Sequence, residues 1–194
     1  MRLWTAPGYE PPSFFRGTAG HGDGASWGFA EPGEVLAIIL LSDGDDCSAR
    51  DPDLFDPASP VYDPSVHLRC FLHADALHDV ERYADGLLQL RRDPRRLVFA
   101  AVVGIPPDLV PPSGTSPTVW SDIFEDERMM ARIDPSEPSE LVPSCNVPGI
   151  GKAYPPIRAL QLARSLESRG ARIALASICG PSFSGVLAAI IEAL

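Results

Sequence analysis

Residues 34–48 of the chain are EVLAIILLSDGDDCS, an uninterrupted apolar run that ends in an acidic turn, residues 43–46. Continuous apolar runs of this length are typical of strands that are buried on both faces, as in parallel sheets. The run is short and stops at Asp-Gly, which favours a strand over a helix. We therefore predict a buried parallel strand that carries Asp43, Asp45 and Asp46 to the carboxyl edge of a sheet.

Two further apolar runs and three helical patterns follow along the chain. The runs at 97–104 and 172–178 predict strands, and apolar residues at helical spacing predict helices over 74–92, 155–169 and 182–194. This alternation of strand and helix indicates an α/β fold of three layers, with a parallel sheet between helices. Ligand sites in such folds lie along the carboxyl edge of the sheet, where the acidic turn is expected.

The segments between these elements show no periodicity. Residues 1–33 predict an irregular lead-in rich in Pro and Gly, and residues 34–194 predict the folded domain. Within this domain, 105–153 predicts a long loop with one short helix near 123–133. The bulky side chains of this loop are expected to pack it onto the sheet: Trp120, Phe124, Met129 and Met130.

The composition argues against several classes of partner. The chain has 194 residues, of which 45% are hydrophobic, and this suits one globular domain. Its formal net charge of −10 repels phosphate backbones, so nucleic acid is not an expected partner. No apolar run reaches the roughly 18 residues of a spanning helix, so no transmembrane segment is expected. The first residues also lack the pattern of a signal peptide.

The first strand poses a packing problem. In a sheet built in sequential order it lies at an edge, where its outer backbone groups have no strand partner. We expect something to cover it: the lead-in, a second copy of the chain, or strands that this sequence does not contain. The hypothesis is an incomplete half of a larger fold, with a protein partner or self-association at the exposed edge.

The acidic turn suits a hard cation. Carboxylate oxygens are the ligands that Mg²⁺ and Ca²⁺ prefer, so either metal is expected at Asp43, Asp45 and Asp46. The simpler alternative is a solvated acidic turn that ends the strand.

The turn also has the D-x-D spacing of haloacid-dehalogenase-like phosphohydrolases, with Asp43 as nucleophile and Asp45 as acid and base. Such an enzyme needs a Ser or Thr at a later strand end, a Lys and a further acidic pair. The only lysine, Lys152, lies in the predicted loop, and no acidic pair follows Ser177. A non-enzymatic role is therefore expected, with this enzyme as an alternative.

A wider set of strings resembles a known family. LLSDGDDCS, LRC, the stretch 76–104, LVPSCN, AYPPIR and ASIC are similar to the downstream half of a von Willebrand factor type A domain. The closer resemblance is to secreted or lipoprotein-like bacterial members with a D-x-D-D-C-S signature and paired cysteines. It covers about residues 29–194 and implies a Rossmann-like sheet without its first strands. It also implies an interaction or adhesion function at the periplasm or cell surface.

The metal-ion-dependent adhesion site of that family is only partly represented. The family takes a D-x-S-x-S motif after the first strand, a Thr from a middle loop and an Asp after the fourth strand. Asp43 matches the last of these, whereas DPSVH at 63–67 and DPSEPS at 134–139 do not match the first. The resemblance therefore implies an incomplete metal site. A structural or degenerate domain without metal is the alternative.

Four cysteines, Cys47, Cys70, Cys145 and Cys179, permit three disulfide pairings. In the predicted architecture all four fall on loops or strand ends at the carboxyl edge. The favoured pairs are Cys47–Cys70, which would tie down the loop after the first strand, and Cys145–Cys179, which would tie the long loop to the last strand. Each closure contributes about 2–4 kcal/mol. Disulfides belong to an oxidising compartment.

Overall fold

A computed structural model describes residues 33–62, 65–91, 93–110 and 120–193. The predicted lead-in lies outside these residues, apart from Gly33. The strands are β1 (Leu36–Leu41), β2 (Leu97–Val103), β3 (Cys145–Val147), β4 (Gly151–Ala153) and β5 (Arg172–Ser177). The helices are α1 (Arg69–Leu72), α2 (Glu81–Gln89), α3 (Trp120–Phe124), α4 (Ile157–Ser168) and α5 (Ser184–Ala193).

The three predicted strands form one parallel sheet in the order β1–β2–β5. The register places Ala100 of β2 between Ile39 of β1 and Ala174 of β5. Every residue of β2 is buried, as expected for a strand with a neighbour on each side and helices on each face. The prediction of an α/β fold with a parallel sheet is confirmed.

Helices cover both faces of this sheet. On one face, α2 and α4 contribute Ala84 and Leu160 to a core that contains Phe99 and Leu175 from the strands. On the other face, α5 packs Val186 against the alanines of β2 and β5. Within the described residues, no helix combines the length and the apolar content needed to cross a bilayer.

Strand β1 is not buried on both faces, and here the prediction is wrong. Ile38 and Leu40 pack against the core on the α4 side. On the opposite face, Ile39 is 54% exposed and Leu41 is 65% exposed, and Ala37 is exposed as well. The physical reason is that α5 packs on β2 and β5, so the outer strand of that face lacks a helical cover.

The segment 105–153 contains more regular structure than predicted. β3 and β4 form an antiparallel hairpin whose turn includes Gly149, with a φ of +76° that favours glycine. Met129 is buried in the main core, and the half-buried Trp120 and Phe124 pack against it, which agrees with the expectation that these side chains hold the segment on the sheet. Met130, in contrast, is 54% exposed.

The helix predicted over 74–92 is shorter in the structure. Residues Ala74–Ala76 form a 3-10 turn, and Leu77 makes an isolated antiparallel bridge with Ala49. Helix α2 then starts at Glu81, whose N–H donates to the Asp79 carboxylate at 2.9 Å. A side chain that bonds to the backbone two residues later favours a helix start at this point over continuation from residue 74.

The structure contains the two favoured disulfides. Cys47–Cys70 has a Cα–Cα distance of 5.6 Å, and Cys145–Cys179 has one of 6.2 Å. The first closes the loop after β1. Arg69, beside this disulfide, is fully buried and donates to the carbonyl oxygen of Leu54 at 3.1 Å.

Candidate functional site

The acidic turn is fixed by backbone hydrogen bonds on two sides. The N–H of Ser42 donates to the carbonyl oxygen of Val102 at 3.2 Å, which extends the pairing with β2 past the end of β1. The N–H of Tyr154 donates to the carbonyl oxygen of Asp43 at 2.8 Å. The turn is therefore held between β2 and the segment that follows β4.

Asp45 satisfies the first turn of α4. Its carboxylate accepts hydrogen bonds from the N–H of Arg158 at 2.9 and 3.1 Å and from the N–H of Ala159 at 3.4 Å. The residue before the helix, Pro156, offers no side-chain cap. A carboxylate from a distant loop thus does the work of an N-cap and also complements the positive end of the helix dipole.

Asp46 is bound from two directions. One carboxylate oxygen accepts from the Ser48 hydroxyl at 2.6 Å, and the other accepts from Arg158 Nε at 3.0 Å. The Arg158 guanidinium also donates to the carbonyl oxygen of His78 at 2.6 Å. Arg158 therefore joins the acidic turn to the segment that precedes α2.

Two opposing effects act on the pKa of Asp45. Its carboxylate oxygens lie against the helix end, and the loss of hydration raises the pKa above the ordinary value of 3.8. The backbone donors of Arg158, Asp46 and Ala159, together with the Arg158 charge, lower the pKa and do not cancel the first effect. The folded state therefore tolerates a neutral group at this position.

The neighbouring His78 is surrounded by cations. Burial lowers its pKa below the ordinary value of 6.5, and the charges of Arg82, Arg50 and Arg158 lower it further, while Asp46 opposes them. Arg82 Nη1 lies 3.1 Å from Nδ1 of the ring, which suits a neutral imidazole that accepts a hydrogen bond.

The three predicted metal ligands have different surroundings. Asp45 and Asp46 are engaged by α4 and Arg158, whereas no described residue makes a hydrogen bond or an ion pair with the Asp43 side chain. A cation bound by all three would have to displace the Arg158 guanidinium. In the described part of the chain, no three His, Cys, Asp or Glu side chains converge as a metal site. These residues do not fit a divalent-cation cage.

The residues of the phosphohydrolase alternative also have other partners. Lys152, on strand β4 of the hairpin, donates from Nζ to the Glu140 carboxylate at 2.9 Å. The buried Ser177 hydroxyl accepts from the N–H of Cys179 at 3.1 Å. Asp45, the expected acid and base, is the residue that binds the helix end.

A second feature of β1 is its free edge. Ser42 directs its N–H to β2, and backbone groups of alternate residues in a parallel strand point to opposite sides. Ala37, Ile39 and Leu41 therefore direct their N–H and C=O groups away from β2, where the described residues provide no further strand. We call these three residues the edge strip; their side chains are the exposed ones on the α5 face.

Sequence reasoning missed Arg158 and the capping role of Asp45. The available signal was the string Tyr154-Pro155-Pro156, which places no Ser, Thr, Asp or Asn before a helix. A helix without a local cap needs a donor-satisfying group from elsewhere, and the acidic turn was a source of such groups.

No family model, no curated protein and no solved structure matches the chain.

Replacing Asp45 by Ala is expected to destabilise the fold by about 1 kcal/mol, because the first N–H groups of α4 lose their acceptor. Asp45→Asn retains an acceptor oxygen and is expected to lose much less, which agrees with the raised pKa. Urea unfolding measures both variants. Asp53→Ala, which removes an exposed carboxylate that no described residue binds, is the matched control and should unfold like the wild type; equal losses at both positions would contradict the capping role.

The lowered pKa of His78 predicts a loss of stability on acidification. Well above pH 6.5 the ring is neutral in both states. As the pH falls through 6.5, the unfolded chain binds a proton that the folded chain resists, so the free energy of unfolding falls. His78→Gln should reduce this decline, measured as urea midpoints between pH 7.5 and about 5.5. A decline of the same size in His78→Gln and in the wild type would contradict this account.

Titration calorimetry with Mg²⁺ and Ca²⁺ is expected to show no saturable binding below about 1 mM, because Asp43 is the only one of the three carboxylates without a protein partner. A saturable heat in the wild type that disappears in Asp43→Ala would restore the metal site.

Proposed function

We propose that the chain is a non-enzymatic protein-interaction module, similar to the downstream half of a von Willebrand factor type A domain, that binds through the edge strip. The observation that carries this proposal is the combination of unpaired backbone groups and exposed apolar side chains on one strand. Ile39 and Leu41 are both more than half exposed.

An apolar edge strand is a template for another strand. Natural edges are normally blunted by charged residues, Pro or bulges, because free N–H and C=O groups recruit other chains. β1 contains none of these: its sequence is LAIILL. A partner that adds a strand would gain backbone hydrogen bonds from the outward groups and specificity from the side chains of the edge strip.

The proposed binding does not depend on a metal. Asp45 and Asp46 are held by protein groups, and the strand offers contacts that need no cation. The two disulfides support a periplasmic or cell-surface location, since such bonds persist in oxidising compartments.

A short extended peptide tests the proposal. A soluble peptide of alternating Val and Thr with terminal lysines is expected to bind and to slow hydrogen exchange at the amides of Ala37, Ile39 and Leu41. The amides of Ile38 and Leu40, which face β2, are the internal control and should change little. Leu41→Pro should weaken peptide binding, because proline removes an outward N–H while an edge strand tolerates it. In a sample that sediments as a monomer, unchanged exchange at the three amides with excess peptide would refute the proposal.

A further inference from the structure

We propose that the partner of the edge strip is a second copy of this chain, joined by antiparallel pairing of β1 with the same strand across a twofold axis. This inference rests on the proposed function, and it names the partner. The result is a six-stranded sheet with β2 of each copy still flanked on both sides, built from the order β1–β2–β5 twice.

The backbone of β1 is complementary to itself. In an antiparallel pair, residues that point toward each other exchange both N–H···O bonds. A twofold axis at Ile39 places Ile39 opposite the partner's Ile39 and Ala37 opposite the partner's Leu41. This register pairs every outward-facing residue of the edge strip, and a shift by two residues would leave some of them unpaired.

The side chains follow the same symmetry. Ala37, Ile39 and Leu41 lie on the α5 face, and directly opposed residues in a sheet point to the same face. The two edge strips therefore meet side by side between the two copies of α5. Cross-strand contact between β-branched and aliphatic side chains covers surface that the single copy leaves exposed.

The charges at the ends of β1 favour the antiparallel direction. Arg96 immediately precedes β2 and lies beside the start of β1, where its exposed side chain donates to the carbonyl oxygen of Gly33. Glu34, also at this end, interacts electrostatically with the buried Arg91. At the other end, Asp43 has no side-chain partner among the described residues. Antiparallel pairing brings the start of one strand to the end of the other, so Arg96 approaches the partner's Asp43. A parallel arrangement would instead bring the two acidic turns together.

Sedimentation equilibrium of the disulfide-intact chain tests this inference. The wild type is expected to sediment as a dimer. Asp43→Arg and Arg96→Asp should each weaken the dimer about tenfold, because both copies of the contact become repulsive. The double variant Asp43→Arg/Arg96→Asp should restore it, since the charges are exchanged. Circular dichroism verifies that each variant is folded. Failure of the double variant to recover would overturn the antiparallel geometry.

A cysteine cross-link tests the position of the axis. Opposed residues in this register lie about 5.5 Å apart between Cα atoms, within the range that a disulfide spans. Ile39→Cys should therefore form a covalent dimer under mild oxidation. The control is Ile191→Cys on α5, a site that is 70% exposed and away from β1, and it should not. Equal cross-linking at both sites would contradict the inference.

The outcomes separate this inference from the proposed function. A monomer that still binds the Val/Thr peptide at the edge strip refutes the second copy and leaves the interaction module. A monomer that binds no peptide refutes both.

Discussion

The structure depends on β2 having a strand on each side and helices on both faces. All seven residues of β2 are buried, α4 and α5 each contact both this strand and β5, and α2 packs against α4. Apolar burial is the dominant favourable term in folding, so most of the stabilisation is concentrated along this axis. β1 contributes apolar burial through one face only. This explains how an apolar strand can belong to the core and still expose side chains to solvent.

The acidic turn shows that the role of a carboxylate depends on which groups the fold places beside it. Three carboxylates in four residues suggest a cation, yet two of them are used to complete α4 and to bind Arg158. Each carboxylate in this role satisfies donors that folding would otherwise leave unpaired. The proposed binding surface is therefore the edge of β1 and not the acidic turn at its end.

The elements that could be predicted are those decided by local pattern. The strands LAIILL, LVFAAVV and RIALAS follow from continuous apolar runs, and the last two helices follow from apolar residues at helical spacing. The exposure of Ile39 could not be predicted, because it depends on where α5 lies over the sheet. The β3–β4 hairpin has strands of three residues, too short for any alternation to be visible. The contact of Asp45 with Arg158 joins residues 113 apart in sequence, a separation that no local pattern reports.

The two disulfides close the loops at the carboxyl edge covalently, whereas the three-stranded sheet is held by backbone pairing and apolar burial. Each bridge joins segments 23 or 34 residues apart, and neither links β1 to β2 or β2 to β5. Reduction thus frees the loops at the carboxyl edge and leaves the contacts among the three parallel strands in place. Oxidation of the four cysteines therefore closes loops around a sheet whose strand pairing does not depend on that closure.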